Sequence, residues 1–323
     1  MRRKIDNSTI LIAGGAGFIG SHLADKLIET GAKQIIILDN LFLGKKQNIA
    51  EALSNGAMFI QDDAENDGTL RYIIEKHKPE IVFNCATKAL NYSFINPSNA
   101  YMTNVNIIKH LLELQRSGAY ETLCHFSTSE VYGTAVYEPM DESHPFNPTT
   151  TYAAGKAAAD MMLFSYVQQY GLDSFIVRPF NNYGERQNHE GSLAGVIPST
   201  VRRILDGEKP LILGTGEQSR DFIYVHDTID ALIKLYNVMQ KGESVNISTN
   251  GQVKIRDLVR MICENMDYSG DIKRGPARVA DVQCHNASSQ KLLGLIQFEP
   301  IPFNIGLSKT IKWYKQNIER RQG

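Results

Sequence analysis

An α/β fold built on a doubly wound parallel sheet, with a smaller interleaved α/β lobe, is the fold class this sequence predicts. Three observations predict it. Strand-like and helix-like segments alternate through the first half of the 323 residues. The strand candidates are near-continuous apolar runs such as Ile35-Ile36-Ile37-Leu38, which suit a parallel sheet covered on both faces. A glycine-rich turn, Gly14-Gly15-Ala16-Gly17-Phe18-Ile19-Gly20, closes the first strand and opens the first helix.

Taken in order, the strands are expected at Thr9–Ala13, Gln34–Leu38, 57–60, 81–85, 122–127 and 174–178. Helical spacing of apolar residues fills the intervals at 18–30, Asp67–His77, 98–118 and Thr151–Tyr170. Gly31 and Gly171 stand where a helix ends in a left-handed residue. Beyond Arg178 the rhythm loosens. A strand at 222–225 and a helix at 227–239 are expected to return to the main sheet. The division is then a nucleotide-binding domain of 1–180 with 221–240 returning to it. Residues 181–220 and 241–323, including a terminal helix around Trp313, form the substrate-binding lobe.

Charge nearly cancels, with 34 basic and 35 acidic side chains, so no global field recruits nucleic acid or an anionic membrane. No apolar run is long enough to cross a bilayer, and the basic Met1-Arg2-Arg3-Lys4 is followed by polar residues rather than a secretory core. Cys85, Cys124, Cys263 and Cys284 are scattered without a C-x-x-C pair, which reads as free thiols in a reducing compartment rather than a metal site. A cytoplasmic protein is the expectation.

Glycines at 14, 17 and 20 permit a tight turn and let the backbone of Phe18 and Ile19 approach a diphosphate at the helix N-terminus. Asp39 ends the second strand about 20 residues further on, where a carboxylate accepts both ribose hydroxyls and repels a 2′-phosphate. NAD is therefore expected over NADP. Thr128 falls at the carboxyl end of the fifth strand, the edge where open α/β sheets bind ligands, with Ser129 and Glu130 beside it. Tyr152 and Lys156 lie four apart on one helix face. A lysine held there is expected to ease ionisation of the phenol and make Tyr152 a general base near neutral pH.

The combination resembles an extended short-chain dehydrogenase/reductase that modifies nucleotide sugars, a Rossmann-fold family. The resemblance runs nearly end to end. It rests on the glycine loop, Asp39-Asn40, Asn104, Ser127–Gly133 with its neighbours, Tyr152/Lys156, Arg178-Pro179-Phe180-Asn181, Arg220-Asp221-Phe222 and Arg278. It implies that Asp63 and Ala64 border the adenine, and that Ala86, Thr87 and Lys88 lie along the cofactor. Asn104, Ser127 and Pro179 complete that wall. Asn181 and Arg186 would contact the substrate, and Arg220 and Arg278 would clamp its diphosphate, which suits guanidinium geometry. Relatives pair the helices at 98–118 and Thr151–Tyr170 into a four-helix bundle, so a homodimer is expected.

Enzymes of this type begin alike, with oxidation of the sugar C4 hydroxyl. A 4-epimerase needs nothing further than rotation of the sugar and hydride return. A 4,6-dehydratase needs a base at C5, and Glu130 is the candidate. Val131-Tyr132-Gly133-Thr134-Ala135, Pro139-Met140-Asp141-Glu142 and Tyr92-Ser93-Phe94 are similar to bacterial UDP-N-acetylglucosamine 4,6-dehydratases. Ser129 stands where dehydratases of dTDP-glucose carry an aspartic acid, so the proton for the departing oxygen falls to Glu130 or to a water. The triplet Thr128-Ser129-Glu130 also suits UDP-glucuronate decarboxylases, the nearest rival. Lys88 is expected as a surface lysine with a snorkelling chain. The sharper alternative places it beside the sugar as a C5 base in a 5-epimerase. A cofactor-binding scaffold without turnover is a remote reading, since such a protein would be expected to lose Tyr152 or Lys156.

Overall fold

The computed structural model describes residues 2–278 and 282–319. Seven strands form one sheet in the order Ser244–Ile247, Asp173–Pro179, Thr122–Phe126, Ile81–Asn84, Thr9–Ala13, Gln34–Leu38, Met58–Ile60. Every neighbouring pair is parallel. The chain winds outward from Thr9–Ala13 to one edge, then restarts on its other side with Ile81–Asn84. This reversal opens a crevice at the carboxyl ends of those two strands.

Alternation along the strands sends Ile10 and Ile12 to one face and Leu11 and Ala13 to the other. The first face is covered by Leu23 and Leu27 of the helix Phe18–Glu29 and by Ile229 and Leu232 of the helix Val225–Tyr236. The second is covered by Leu70, Ile108, Leu111 and Leu163 from three further helices. Both faces are dry, so the apolar runs need no polar alternation. A separate core of Val201, Leu258, Ile262, Leu307 and Ile311 builds the smaller lobe.

The helices Asp67–His77 and Thr151–Tyr170 have the expected bounds, and the others shift by one to three residues. One strand expectation is corrected. Phe222–Tyr224 does not enter the main sheet; it pairs with Asn181–Tyr183 in a two-stranded sheet of its own. The outer strand is instead Ser244–Ile247, which the expected lobe of 241–323 had claimed. The reason is visible in its side chains. Ser244 and Asn246 are polar yet buried, because Ser244 Oγ accepts from Arg178 Nη1 at 2.7 Å and Asn246 Oδ1 accepts from the Tyr132 hydroxyl at 2.9 Å. A strand satisfied in this way carries no apolar signature. The neighbouring helix, Val225–Tyr236, does lie on the main sheet.

Candidate active site

The glycine loop is shaped by contacts that exclude side chains. Gly14 has φ +76°, and a Cβ there would lie 2.6 Å from the Ala86 backbone nitrogen. At Gly20 it would lie 2.3 Å from the Gly14 carbonyl oxygen. Gly17 heads the helix Phe18–Glu29 without a side-chain cap, which leaves the first N–H groups of that helix turned to the crevice. Asp39 Oδ2 accepts from Ala16 N at 3.0 Å and Oδ1 from Leu41 N at 2.8 Å. These bonds hold its carboxylate at the crevice rim and leave lone pairs for further donors. Burial raises its carboxyl above the usual range. Asn40 donates to Asp63 at 2.7 Å, closing the far end.

Together these residues line a cavity of about 360 Å³ with Phe18, Ile19, Ala64, Ala86, Thr87, Lys88, Ser127 and Pro179. The loop, the carboxylate and the uncapped helix end fit a dinucleotide. Lys45 is paired with Glu190 at 2.9 Å, and Lys46 lies over the Phe59 ring at 5.5 Å. Asn104 and Lys156 stand behind the wall rather than on it. Thr87 Oγ1 donates to Asn104 Oδ1 at 2.8 Å, and Lys156 Nζ donates to the Phe126 carbonyl at 2.7 Å.

Two placements differ from expectation. Lys88 is buried, with its ammonium 4.1 Å from the Phe42 ring centroid and 5.9 Å from that of Tyr92. The aromatic faces of Phe42 and Tyr92 receive the charge. Arg186 is drawn to the cofactor side by Asp25, Nη1 to Oδ2 at 2.6 Å, and lines that cavity instead of the one containing Glu130.

A second cavity of about 400 Å³ meets the first at Thr128 and Tyr152. Ser129, Glu130, Asn181, Arg220 and Arg278 line it, with Leu90, Phe94, Leu211 and Phe222 supplying apolar wall. Its size suits a small-molecule ligand. The fifth strand ends at Phe126, and Thr128 caps a 3₁₀ turn at Ser129–Tyr132 that carries Glu130. Gly133 then turns at φ +63°, and a Cβ there would lie 1.9 Å from the Asn147 carbonyl oxygen. Arg220 is placed by a short strand, Ser219–Arg220, held between Val253–Lys254 and Cys284–His285.

Tyr152 sits one residue inside a helix capped by Thr150, whose Oγ1 accepts from Ala153 N at 3.2 Å. Its phenol is eased toward ionisation by the neighbouring Thr128 and Thr87 side chains and opposed by the charge of Glu130. Burial pushes the phenol up to about 12 and Lys156 down to about 8. The expected easing of phenol ionisation by lysine is therefore corrected. The ammonium is committed to Phe126 and near Asp160, so in this state desolvation dominates the phenol.

Sequence reasoning missed two groups. Asp160, four residues beyond Lys156 on the same helix, accepts from Ser127 Oγ at 2.7 Å and from Arg178 Nε at 3.0 Å. The repeated spacing 152, 156, 160 is the pattern that could have found it. His285, 3.7 Å from Glu130, has no local pattern to betray it, since it arrives from the other lobe.

This sheet, glycine loop and tyrosine–lysine helix define a nucleotide-binding α/β enzyme fold, and its family is shown directly. Residues 10–248 match the NAD dependent epimerase/dehydratase family, and the chain belongs to it. NAD is its cofactor. A putative UDP-glucose 4-epimerase of Methanocaldococcus jannaschii is 33% identical, over 95% of this chain and 99% of that protein. The dTDP-D-glucose 4,6-dehydratase of Bos taurus is 31% identical, over 96% of this chain and 89% of that one. The crystal structure of a dTDP-glucose 4,6-dehydratase from Streptomyces venezuelae, with NAD bound, superposes with a TM-score of 0.90 at 26% identity, covering 97% and 98% of the two chains. Epimerases and dehydratases are thus similarly close, and the chain is an enzyme of nucleotide-sugar type.

Proposed function

We propose that this enzyme is a 4,6-dehydratase acting on UDP-N-acetylglucosamine. The observation that carries the reading is a carboxylate, Glu130, on the wall of the cavity that Tyr152 also lines. A 4-epimerase has no use for it. The similarity of residues 131–135, 139–142 and 92–94 to bacterial enzymes of that substrate supports the choice of sugar.

In this reading Gly14, Gly17 and Gly20 hold the cofactor diphosphate, Asp39 its ribose, and Asn40, Asp63 and Ala64 its adenine end. Bound NAD supplies the hydride acceptor for the sugar C4, a positive charge, and the hydride that returns to C6. Thr128 positions the C4 hydroxyl, and Tyr152 takes its proton. The 4-ketone acidifies the C5 hydrogen, Glu130 removes it, and the C6 hydroxyl departs as water. Asn181, Arg220 and Arg278 hold the substrate diphosphate on the lobe side. The raised pKa of Tyr152 keeps the phenol protonated near neutral pH in the unliganded enzyme.

Ser129 favours a second reading, decarboxylation of UDP-glucuronate. That reaction needs no acid for a departing hydroxyl, and Ser129 is not one. Mass spectrometry separates the two. Loss of one water from UDP-N-acetylglucosamine supports the dehydratase, loss of carbon dioxide from UDP-glucuronate selects the decarboxylase, and an unchanged mass with both removes each in favour of epimerisation.

We also propose a homodimer. The helices Pro97–Arg116 and Thr151–Tyr170 pack so closely that a Cβ on Gly155 would lie 2.7 Å from the Tyr101 carbonyl. Met102 and Met161 on these two helices are left exposed, 41% and 55%. Light scattering of Met161→Glu should report a monomer; a mass unchanged from wild type would remove this interface.

A further inference from the structure

His285 is fully buried, and its Nε2 lies 3.1 Å from the Gly133 carbonyl oxygen. A carbonyl only accepts, so Nε2 carries the proton and Nδ1 presents a lone pair. That Nδ1 is buried without a hydrogen-bond partner. It faces Glu130 Oε1 at 3.7 Å. With Glu130 ionised, two acceptors confront one another with no proton between them, and the contact cannot close to a hydrogen bond. A proton on Glu130 turns the same contact into an O–H···N bond and satisfies the orphaned nitrogen.

We infer that His285 is a positioning residue that stabilises Glu130 in its acid form and aims its proton for delivery to the departing oxygen. The inference rests on the dehydratase reading and supplies what Ser129 lacks. Glu130 takes the C5 proton, the C5–H electron pair forms the C5–C6 double bond, and the C6–O bond breaks. The proton held on Glu130 passes to that oxygen, which leaves as water, and Glu130 is again a carboxylate. Nothing is oxidised or reduced in this half of the cycle.

The fold supports the arrangement on both sides of the ring. Burial, with the Arg220 charge beside it and His144 adding to the effect, drives His285 down to about 3, so the imidazole stays neutral and its Nδ1 lone pair remains open to a proton donor. Cys284–His285 pairs in parallel with Ser219–Arg220, with His285 opposite Arg220. Met140 N donates to Asn286 O at 2.7 Å, and Ser288 N donates to Met140 O at 2.8 Å, which straps this segment across the loop after Gly133. The lobe that carries Arg220 thereby also sets the position of the histidine behind Glu130.

Two substitutions divide the roles of the ring. His285→Gln keeps a donor for Gly133 and removes the acceptor at the Nδ1 position. His285→Asn places an amide oxygen at that position and gives up the bond to Gly133. In the NAD-loaded enzyme with UDP-N-acetylglucosamine, His285→Gln should lose about tenfold or more in the kcat of water release, the worth of one such hydrogen bond. Its KM and its first-turnover formation of reduced cofactor should stay unchanged, and His285→Asn should retain most of the rate. The reverse order, Gln active and Asn inactive, would assign His285 a structural role and overturn the inference, as would equal rates in both variants. Wild-type enzyme that releases no water overturns the dehydratase reading and this inference with it.

Discussion

Arg178 and Asp160 form an ion pair sealed from solvent, with both Nε and Nη2 of the guanidinium 3.0 Å from the same carboxylate oxygen. Ser127 donates to that oxygen as well, at 2.7 Å, and Arg178 Nη1 reaches Tyr132 and Ser244. The pair thus ties the end of the fifth strand, the helix Thr151–Tyr170 and the outer strand into one buried network. Arg178→Met should destabilise the protein by about 3–5 kcal/mol, because an uncompensated carboxylate is left inside. Urea denaturation measures this. A loss below about 1 kcal/mol would show that Asp160 is neutralised at little cost.

Glu130→Gln keeps the side-chain size on the 3₁₀ turn and removes the carboxylate proposed as the C5 base. Reduced cofactor should still form from bound sugar, while release of water falls by about a hundredfold or more. Absorbance of the reduced cofactor and mass spectrometry of the sugar report the two halves separately. Full dehydration by the variant would place the C5 base elsewhere.

Tyr152→Phe should suppress the first oxidation by about a hundredfold or more while leaving NAD binding intact, since the ring still fills the junction of the two cavities. Binding is read by fluorescence titration and oxidation by single-turnover absorbance. Undiminished oxidation would mean that Thr128 or a water delivers the base.

Lys88→Met tests the buried ammonium. Its place over Phe42, on the cofactor wall and away from Glu130, predicts weaker NAD binding and an unchanged rate of solvent deuterium uptake at C5. Exchange at C5 that disappears would restore the lysine as the base of an epimerase.

His285 also leaves a mark on stability. Its pKa in the fold lies near 3 against an ordinary 6.5, so below about pH 6.5 the unfolded chain binds the extra proton. Stability contributed by this group is full above about 6.5 and is lost as pH falls toward about 3, at up to about 1.4 kcal/mol per pH unit. His285→Asn should therefore lose less stability than wild type over that interval. Parallel curves for the two proteins would show that His285 is protonated in the fold.

Much of the scaffold was legible because its causes are local. The runs at Thr9–Ala13 and Gln34–Leu38 are apolar throughout, since both faces of the sheet are covered, and the strands fell where those runs stand. Gly14 and Gly20 could be read from their strand–turn–helix setting, because Gly14 supplies the positive φ of the turn and Gly20 approaches the Gly14 carbonyl six residues back. Tyr152 and Lys156 share a face by helix geometry alone. The outer strand Ser244–Ile247 was hidden because Ser244 and Asn246 are satisfied by Arg178 and Tyr132, which lie far away in the chain.

By itself, then, the sequence determined the doubly wound sheet, the dinucleotide loop and the residues that converge on one sheet edge. Tertiary structure alone decided the electrostatics among them. It turned the Lys156 ammonium onto the Phe126 carbonyl, buried Lys88 against aromatic rings, drew Arg186 to Asp25 and set His285 behind Glu130. The physical reason is range. Propensity and periodicity act between neighbours along the chain, whereas a charge's partner and its desolvation are fixed by whatever segment folding brings beside it.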